Sequence, residues 1–255
     1  MQIGIVGCGA IGSAVARSAV TMDGVSAVLV YDIDAHATAL LADLPRIKIC
    51  ASGEAVAKAC DVLVEAANKG VVETIVPIVL QRGKRAVLLT VGALADDALR
   101  NKLLTIAREN SGKIHIPSGA VMGIDGVRAA GAAELKSVTL VTTKPPAGLD
   151  RPVDKWTLLF SGTAREAVQK FPKNVNVAAT LSLAGLGFDE TWVQVAVDPL
   201  ATRNSHKVIV EGAFGRARIE VENLPSPSNP ATSYLASLST IALLQRLLSP
   251  IEVGA

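Results

Sequence analysis

The sequence predicts an α/β fold in which an N-terminal doubly wound parallel sheet is followed by a second α+β domain built on a mostly antiparallel sheet. Three observations carry this. Up to Ile116, short and uniformly apolar runs alternate with helical stretches; strands apolar on both faces belong to a parallel sheet covered by helices on both sides. A glycine-rich turn joins the first such run to the first helical stretch. Past Pro117 the runs lengthen and alternate apolar with polar, the period-two pattern of a sheet with one wet face.

In chain order, Gln2–Val6 reads as the first strand and Ala10–Thr21 as the first helix, rich in Ala. Val25–Tyr31 is a second, Val-rich strand, followed by a helix over Ala35–Leu44. Further strands are expected at Ile47–Cys50, Asp61–Glu65, Ala86–Thr90 and Lys113–Ile116, with helices over Glu54–Ala59, Val71–Arg82 and Asp96–Asn110. Right-handed crossovers wind such a series onto both faces of one sheet. In Arg216–Asn223, Ala217, Ile219 and Val221 point one way while Arg218, Glu220 and Glu222 point the other. Glu134–Thr143, Trp192–Val197 and His206–Glu211 are its expected partners. Helices are expected over Ala164–Lys170, Val175–Leu186 and Ser233–Leu248, the first of them opened by a capping box of Thr163 and Glu166. The Pro-rich segments at 145–148 and 225–230 read as loops. The change of pattern gives domains 1–117 and 118–255, with the 233–248 helix packing back on the first.

Composition removes several function classes. Half of the chain is apolar, but only 4 Phe, 2 Trp and 2 Tyr are present, so the core must be aliphatic and ring stacking cannot dominate ligand binding. Intrinsic disorder is excluded by the same apolar content. A net charge of +2, from 25 Lys and Arg against 23 Asp and Glu, is too balanced for a nucleic-acid surface. The mean hydropathy of +0.40 calls for a search for a membrane span. The uncharged stretch Asn174–Phe188 carries Asn, Thr and Ser and is shorter than the ~18 apolar residues a span needs. No membrane partner is expected, and the strand-like N-terminus does not read as a signal peptide, so the expected location is the cytoplasm. Cys8, Cys50 and Cys60 match neither CxxC nor a zinc spacing, which predicts reduced thiols and no metal site.

Gly7-Cys8-Gly9-Ala10-Ile11-Gly12 is a GxGxxG turn at the end of the first strand, and Asp32 lies 20 positions past Gly12 at the end of the second. Gly7 permits the tight turn, Gly9 lets the backbone approach a pyrophosphate, and Gly12 lets helix and strand pack closely. Backbone N–H groups of the loop and the opening helix, Ala10 and Ile11 included, meet the phosphates at the positive end of the helix dipole. Asp32 accepts hydrogen bonds from the adenosine ribose. These features make the first domain a Rossmann domain with NAD as its expected cofactor. A carboxylate repels a 2′-phosphate, which favours NAD; NADP stays open. A ligand-free glycine turn and an S-adenosylmethionine site are the competing readings of the loop.

Hydride transfer at a carbon bearing N or O needs a proton donor or acceptor beside it, usually His or Lys. Of the three histidines, His36 follows the second strand near the expected adenosine, and His115 lies within an apolar strand as a core or edge residue. His206 stands at a loop-to-strand edge of the second domain, where position alone leaves catalysis and an ordinary surface role both open.

The chain resembles the L-aspartate dehydrogenases from end to end. The resemblance is carried by Gly7–Gly12, Ser118–Asp125 (SGAVMGID), Gln169–Leu181 (QKFPKNVNVAATL), the His206 segment and Asn229–Leu235 (NPATSYL). The QKFPKNxNVAAT string is the most specific, since it is not a general Rossmann feature. The resemblance implies His206 as the active-site residue, and Ala120 and Asn176 as contacts to NAD(P). Read from the residues alone, Asn176 could equally cap its helix. The family commonly reads SGAIGGLD, so Met122 replaces a glycine.

The resemblance also implies the reaction: hydride leaves Cα of L-aspartate, and the resulting iminoaspartate is hydrolysed to oxaloacetate and ammonia, a reversible reaction with a link to NAD biosynthesis. A homodimer is implied too. Lys173, Arg203 and Lys207 are candidates for holding the substrate carboxylates by their proximity to the motifs. Two other functions compete: another Rossmann reductase of a cyclic imine or semialdehyde, and a non-catalytic NAD-sensing protein.

Overall fold

The computed structural model describes residues 1–146, 153–171, 176–227 and 229–254. The chain divides into two compact units, one of Met1–Pro117 with Ser237–Glu252 and one of Ser118–Ala236 with Val253–Ala255.

The first unit begins with β1 (Gln2–Val6), α1 (Ala10–Ala19), β2 (Ala27–Tyr31), α2 (Ala35–Ala39), β3 (Ile47–Ile49), α3 (Gly53–Ala59) and β4 (Val62–Glu65). It continues through α4 (Lys69–Thr74), α5 (Val76–Gln81), β5 (Arg85–Leu88), a 3-10 turn (Val91–Ala95), α6 (Asp97–Glu109) and β6 (Lys113–His115). The sheet runs β3-β2-β1-β4-β5-β6, parallel throughout. This order reverses direction beside β1, which places the carboxyl end of β1 at the switch point where such folds bind ligands. Ile3, Ile5, Val28, Val30, Val62 and Val64 are fully buried. The aliphatic runs thus form strands because only a sheet sandwiched between helices can cover both of their faces.

Three local differences from the expected elements have simple causes. α2 ends at Ala39 rather than Leu44: beyond it the chain continues as turns closed by i→i−3 hydrogen bonds, Leu41 N–H to Thr38 and Ala42 N–H to Ala39, and Leu44 itself, before Pro45, is disfavoured in the helical region. The stretch expected as one helix over Val71–Arg82 is split into α4 and α5 at Ile75, with Pro77 in the first turn of α5, where its missing N–H costs nothing. Asp96 is the N-cap of α6, its side chain accepting the Leu99 N–H at 3.1 Å, so the helix proper starts one residue later.

The second unit contains α7 (Ile124–Ala130), β7 (Leu135–Lys144), β8 (Thr157–Thr163), α8 (Ala164–Lys170), α9 (Asn176–Ala184), β9 (Thr191–Val197), β10 (Asn204–Gly212) and β11 (Gly215–Asn223). The short ribbon of β12 (Pro225–Ser226) and β13 (Asn229–Ser233) follows, then α10 (Tyr234–Leu248). Its five-stranded sheet runs β11-β10-β7-β9-β8. It is mixed: β7 and β9 pair in parallel while the other neighbours are antiparallel. α7 and β8 were not expected from the sequence, and the segment expected as a loop at 225–230 instead contributes to a ribbon. The Thr163–Glu166 capping box is present in both directions. The expected helix start at Val175 and part of the 145–148 loop lie outside the described residues. From Ser237, α10 belongs to the first unit, where Leu243 and Leu244 are buried in one cluster with Ile3, Val15, Ala19 and Val25. Among the described residues no helix is long and apolar enough to cross a membrane. The high mean hydropathy comes instead from strands and helices buried in these cores.

Candidate active site

The glycine turn of the first unit is built to admit a ligand at one point only. Gly7 has φ +96°, and a Cβ there would lie 2.5 Å from the Ala66 carbonyl oxygen. A Cβ at Gly12 would collide with the Gly7 carbonyl oxygen. Gly9 differs: it is extended, it is the N-cap of α1, and nothing lies within 4 Å of where its Cβ would be. The loop therefore keeps an open approach to backbone at Gly9. α1 has no side-chain cap and no acidic residue in its first turn. The N–H groups of Ala10, Ile11 and Gly12 and the positive helix end are thus available to an anion. This cradle fits a dinucleotide pyrophosphate.

Asp32 is tied to the same loop. Its Oδ2 accepts the Cys8 N–H at 2.5 Å and its Oδ1 accepts the Asp34 N–H at 2.9 Å. Each oxygen retains a lone pair for a ribose hydroxyl. Replacing Asp32 with Ala should erode the preference for NAD over NADP by about tenfold or more, since it removes the charge facing a 2′-phosphate. Paired KM measurements with the two nucleotides check this, and an unchanged ratio would show that Asp32 does not read the ribose. The Cys8 thiol beside it is inert: burial, then the Asp32 charge, push its pKa up to about 12.

Glu65, the last residue of β4, was not singled out by the sequence. It is fully buried, and its carboxylate collects the N–H groups of Ala67 and Thr90 and the Thr90 hydroxyl at 2.7–3.0 Å. Burial raises its pKa while these bonds oppose the rise. It braces the turns after β4 and β5, the first of which carries the Ala66 carbonyl pressed against Gly7.

In the second unit, His206 lies in β10 between Thr142 of β7 and Val221 of β11. It is 7% exposed, and its Nδ1 shares a 3.0 Å hydrogen bond with Thr142 Oγ1. Along this sheet face Leu140, Val193 and Val208 are buried and apolar, and the polar groups come at one end: Thr142, His206, Lys144 and Asn223. Burial, and secondarily the Lys144 ammonium, lower the His206 pKa from 6.5 to about 4, so the imidazole is neutral at pH 7.

That shift links to stability with a definite sign. The unfolded imidazole binds a proton below pH 6.5 and the folded one only below about 4, so unfolding takes up a proton between these values. Stability should fall by about 3 kcal/mol as the pH drops through this window and be constant above it as far as His206 is concerned. Denaturant unfolding of the wild type and of His206→Asn at pH 4 and pH 7 checks this. Equal pH dependence in the two would refute it.

Ala120 is buried in the turn that follows Gly119, and its carbonyl accepts a 3.0 Å hydrogen bond from Asn223 Nδ2. Asn223 ends β11 on the face that carries His206, and it thereby joins Ala120 to the polar end of the sheet. Sequence reasoning missed Asn223 because the end of a strand carries no motif. Met122 is 55% exposed and, unlike Gly119 and Gly123, has an ordinary negative φ; it replaces a glycine without strain. Asn176 is the exposed first residue of α9.

The carboxylate candidates fare differently. Lys207 neighbours His206 in a strand and so points to the opposite face, where it pairs with Glu220 at 3.3 Å. Arg203 is exposed in the preceding loop, and Lys173 lies outside the described residues. His36 is exposed in α2. His115 is half-buried at the end of β6, with its pKa lowered by burial and then by Arg85. Among the described residues no group of three His, Cys, Asp or Glu side chains is arranged to hold a metal.

Comparison with known proteins covers the whole chain. Residues 125–247 match a family model described as aspartate dehydrogenase, C-terminal, and residues 7–117 one described as homoserine dehydrogenase, NAD binding domain. An L-aspartate dehydrogenase of Methanosarcina acetivorans is 46% identical over 100% of this chain and 99% of its own. One of Methanothermobacter thermautotrophicus is 40% identical over 100% and 98%. The crystal structure of aspartate dehydrogenase from Thermotoga maritima superposes with a TM-score of 0.84 at 26% identity, covering 100% of this chain and 99% of that one.

Proposed function

This chain belongs to the L-aspartate dehydrogenase family, and we propose that it performs the family's reaction with His206 as proton acceptor. The activity is NAD(P)-dependent oxidation of L-aspartate. Bound NAD(P) would supply the acceptor for a hydride from Cα, and the iminoaspartate so formed would take up one water to give oxaloacetate and ammonia.

The residues do the rest. The glycine loop, with Gly9 left open and the N–H groups of Ala10, Ile11 and Gly12, holds the pyrophosphate, and Asp32 holds the adenosine ribose. Ala120 and Asn176 are the further cofactor contacts. In the tautomer that donates Nδ1–H to Thr142 Oγ1, His206 presents its Nε2 lone pair. A substrate ammonium must lose a proton before its nitrogen can push hydride away from Cα, and a neutral imidazole takes that proton. Once that proton has passed to solvent, the same nitrogen accepts a proton from the water that attacks the imine and hands it to the departing ammonia. The observation that carries this reading is a neutral, hydrogen-bonded imidazole held at the polar end of an otherwise apolar sheet face. Burial makes it a weak base when the site is empty, and the negative charge of an incoming dicarboxylate strengthens it.

A homodimer is the proposed assembly. Its support is the outer face of the five-stranded sheet, where Leu158 and Trp192 are 43% and 45% exposed. The cytoplasm is the proposed location, in keeping with three unbonded thiols.

The test is direct: L-aspartate with NAD or NADP, and in reverse oxaloacetate with ammonia and the reduced cofactors, followed at the reduced-nicotinamide absorbance. Turnover in both directions is expected. Turnover only with a cyclic imine or semialdehyde, or nucleotide binding without any turnover, would replace this reading by one of its two competitors.

A further inference from the structure

The polar end of the His206 face contains a cation that the motifs did not point to. Lys144 is the last residue of β7, two positions past Thr142 and therefore on the same face of the sheet. Its step in the ladder comes just past the Thr143–Ser205 pair, beside the strand position of Asn204. The side chain is half-buried, and among the described residues no carboxylate pairs with it. This sets it apart from Lys58, Lys69, Lys84 and Lys207, each of which has an acidic partner within 4 Å. Desolvation lowers its pKa, with no acid raising it in return, and its charge is felt by His206. A partly desolvated ammonium without a counter-ion is costly to keep and is stabilised by any anion that reaches it.

From this placement we propose that Lys144 is the cationic residue that binds one carboxylate of the dicarboxylate substrate, holding the substrate's nitrogen toward His206. The inference rests on the aspartate dehydrogenase reading and adds to it the residue that recognises a dicarboxylate. It also explains why Lys207, adjacent in sequence to His206, has no such role: the alternation of the strand turns Lys207 outward, while the β7–β10 pairing brings in Lys144 from 62 positions upstream. The arrangement has a chemical logic as well. The carboxylate that neutralises Lys144 removes the positive charge that weakens His206 as a base, so substrate binding prepares the imidazole for its proton.

The experiment uses the full chain saturated with NADH, with calorimetric titration of malonate and succinate as non-reacting dicarboxylates, in the wild type, Lys144→Met and Lys144→Arg. KM and kcat for L-aspartate are measured alongside. Lys144→Met should weaken dicarboxylate binding and raise the KM for aspartate by about 30-fold, the size of one lost charge-assisted hydrogen bond. NADH affinity should not move, and Lys144→Arg should recover most of the loss because the charge is kept. Unchanged dicarboxylate affinity in Lys144→Met overturns the proposal, and so does a loss that extends equally to NADH, which is the mark of a structural role. Wild-type protein that binds neither dicarboxylate overturns it too. Dicarboxylate binding that depends on Lys144 in a wild type that does not oxidise aspartate would leave the Lys144 assignment standing and defeat the aspartate dehydrogenase reading instead.

Discussion

Replacing His206 by alanine should lower kcat for aspartate oxidation by about 10²- to 10⁴-fold, the usual contribution of a positioned general base. The affinity for NADH should be unchanged, because His206 is not among the residues proposed to hold the dinucleotide, namely the glycine loop, Asp32, Ala120 and Asn176. The protein should remain folded. The wild-type side chain is a buried polar group whose main compensation is one hydrogen bond to Thr142, so its removal loses packing but also lifts a desolvation cost. The measurement is steady-state kinetics with fluorescence titration of NADH on the same preparation. Near wild-type turnover with intact NADH binding would remove His206 from the mechanism. A parallel loss of both would show that the substitution acts on folding instead.

The second large effect separates two glycines of one motif. Gly9→Ala should leave thermal stability nearly unchanged, because its Cβ enters open space and its backbone is in a region any residue adopts. Yet that space is where a pyrophosphate must meet the backbone, so the affinity for NAD should drop by about tenfold to a hundredfold. Gly12→Ala should do the opposite. Its Cβ would collide with the Gly7 carbonyl, an atom held by the turn itself, and relief requires α1 to move away from β1. A destabilisation of about 3 kcal/mol is expected from such overpacking of backbone against backbone. Melting temperature and NADH affinity, measured on both variants, decide the matter. Equal losses of stability would mean that the open space at Gly9 is not specific to ligand approach.

Much of the first unit is legible from residue order, because its signals are local. An aliphatic run, a glycine turn, an alanine-rich stretch and an acidic residue at the next strand end specify a strand–turn–helix unit with little help from distant contacts. The departures there are local too: Pro77 opens a second helix in a stretch that apolar periodicity alone runs together, and α2 gives way to i→i−3 turns after Ala39. The second unit is less legible. α7 is a short helix opened by a left-handed Gly123, and β8 pairs with a strand about thirty residues further on, so neither announces itself by a long periodic pattern. The parallel pairing of β7 with β9 is a matter of topology, which alternation along a single strand does not encode.

The same division holds for the site. Sequence by itself determined the glycine-turn half: which glycines turn the chain, which helix start is left without a cap, and which carboxylate stands at the end of β2. These groups lie within one βαβ unit, and their spacing along the chain is their spacing in space. It also singled out His206, by resemblance and by its place at a strand edge. What only the tertiary structure decided is the company His206 keeps. Thr142 and Lys144 arrive from β7 and Asn223 from β11, through pairings that join segments 17 to 64 residues away. Strand alternation then selects among them, turning Lys207 outward to Glu220 and leaving Lys144 on the face of the imidazole. Proximity in sequence favoured Lys207 over Lys144, because the side that a residue faces is set by sheet register, and register comes from packing the whole apolar face at once.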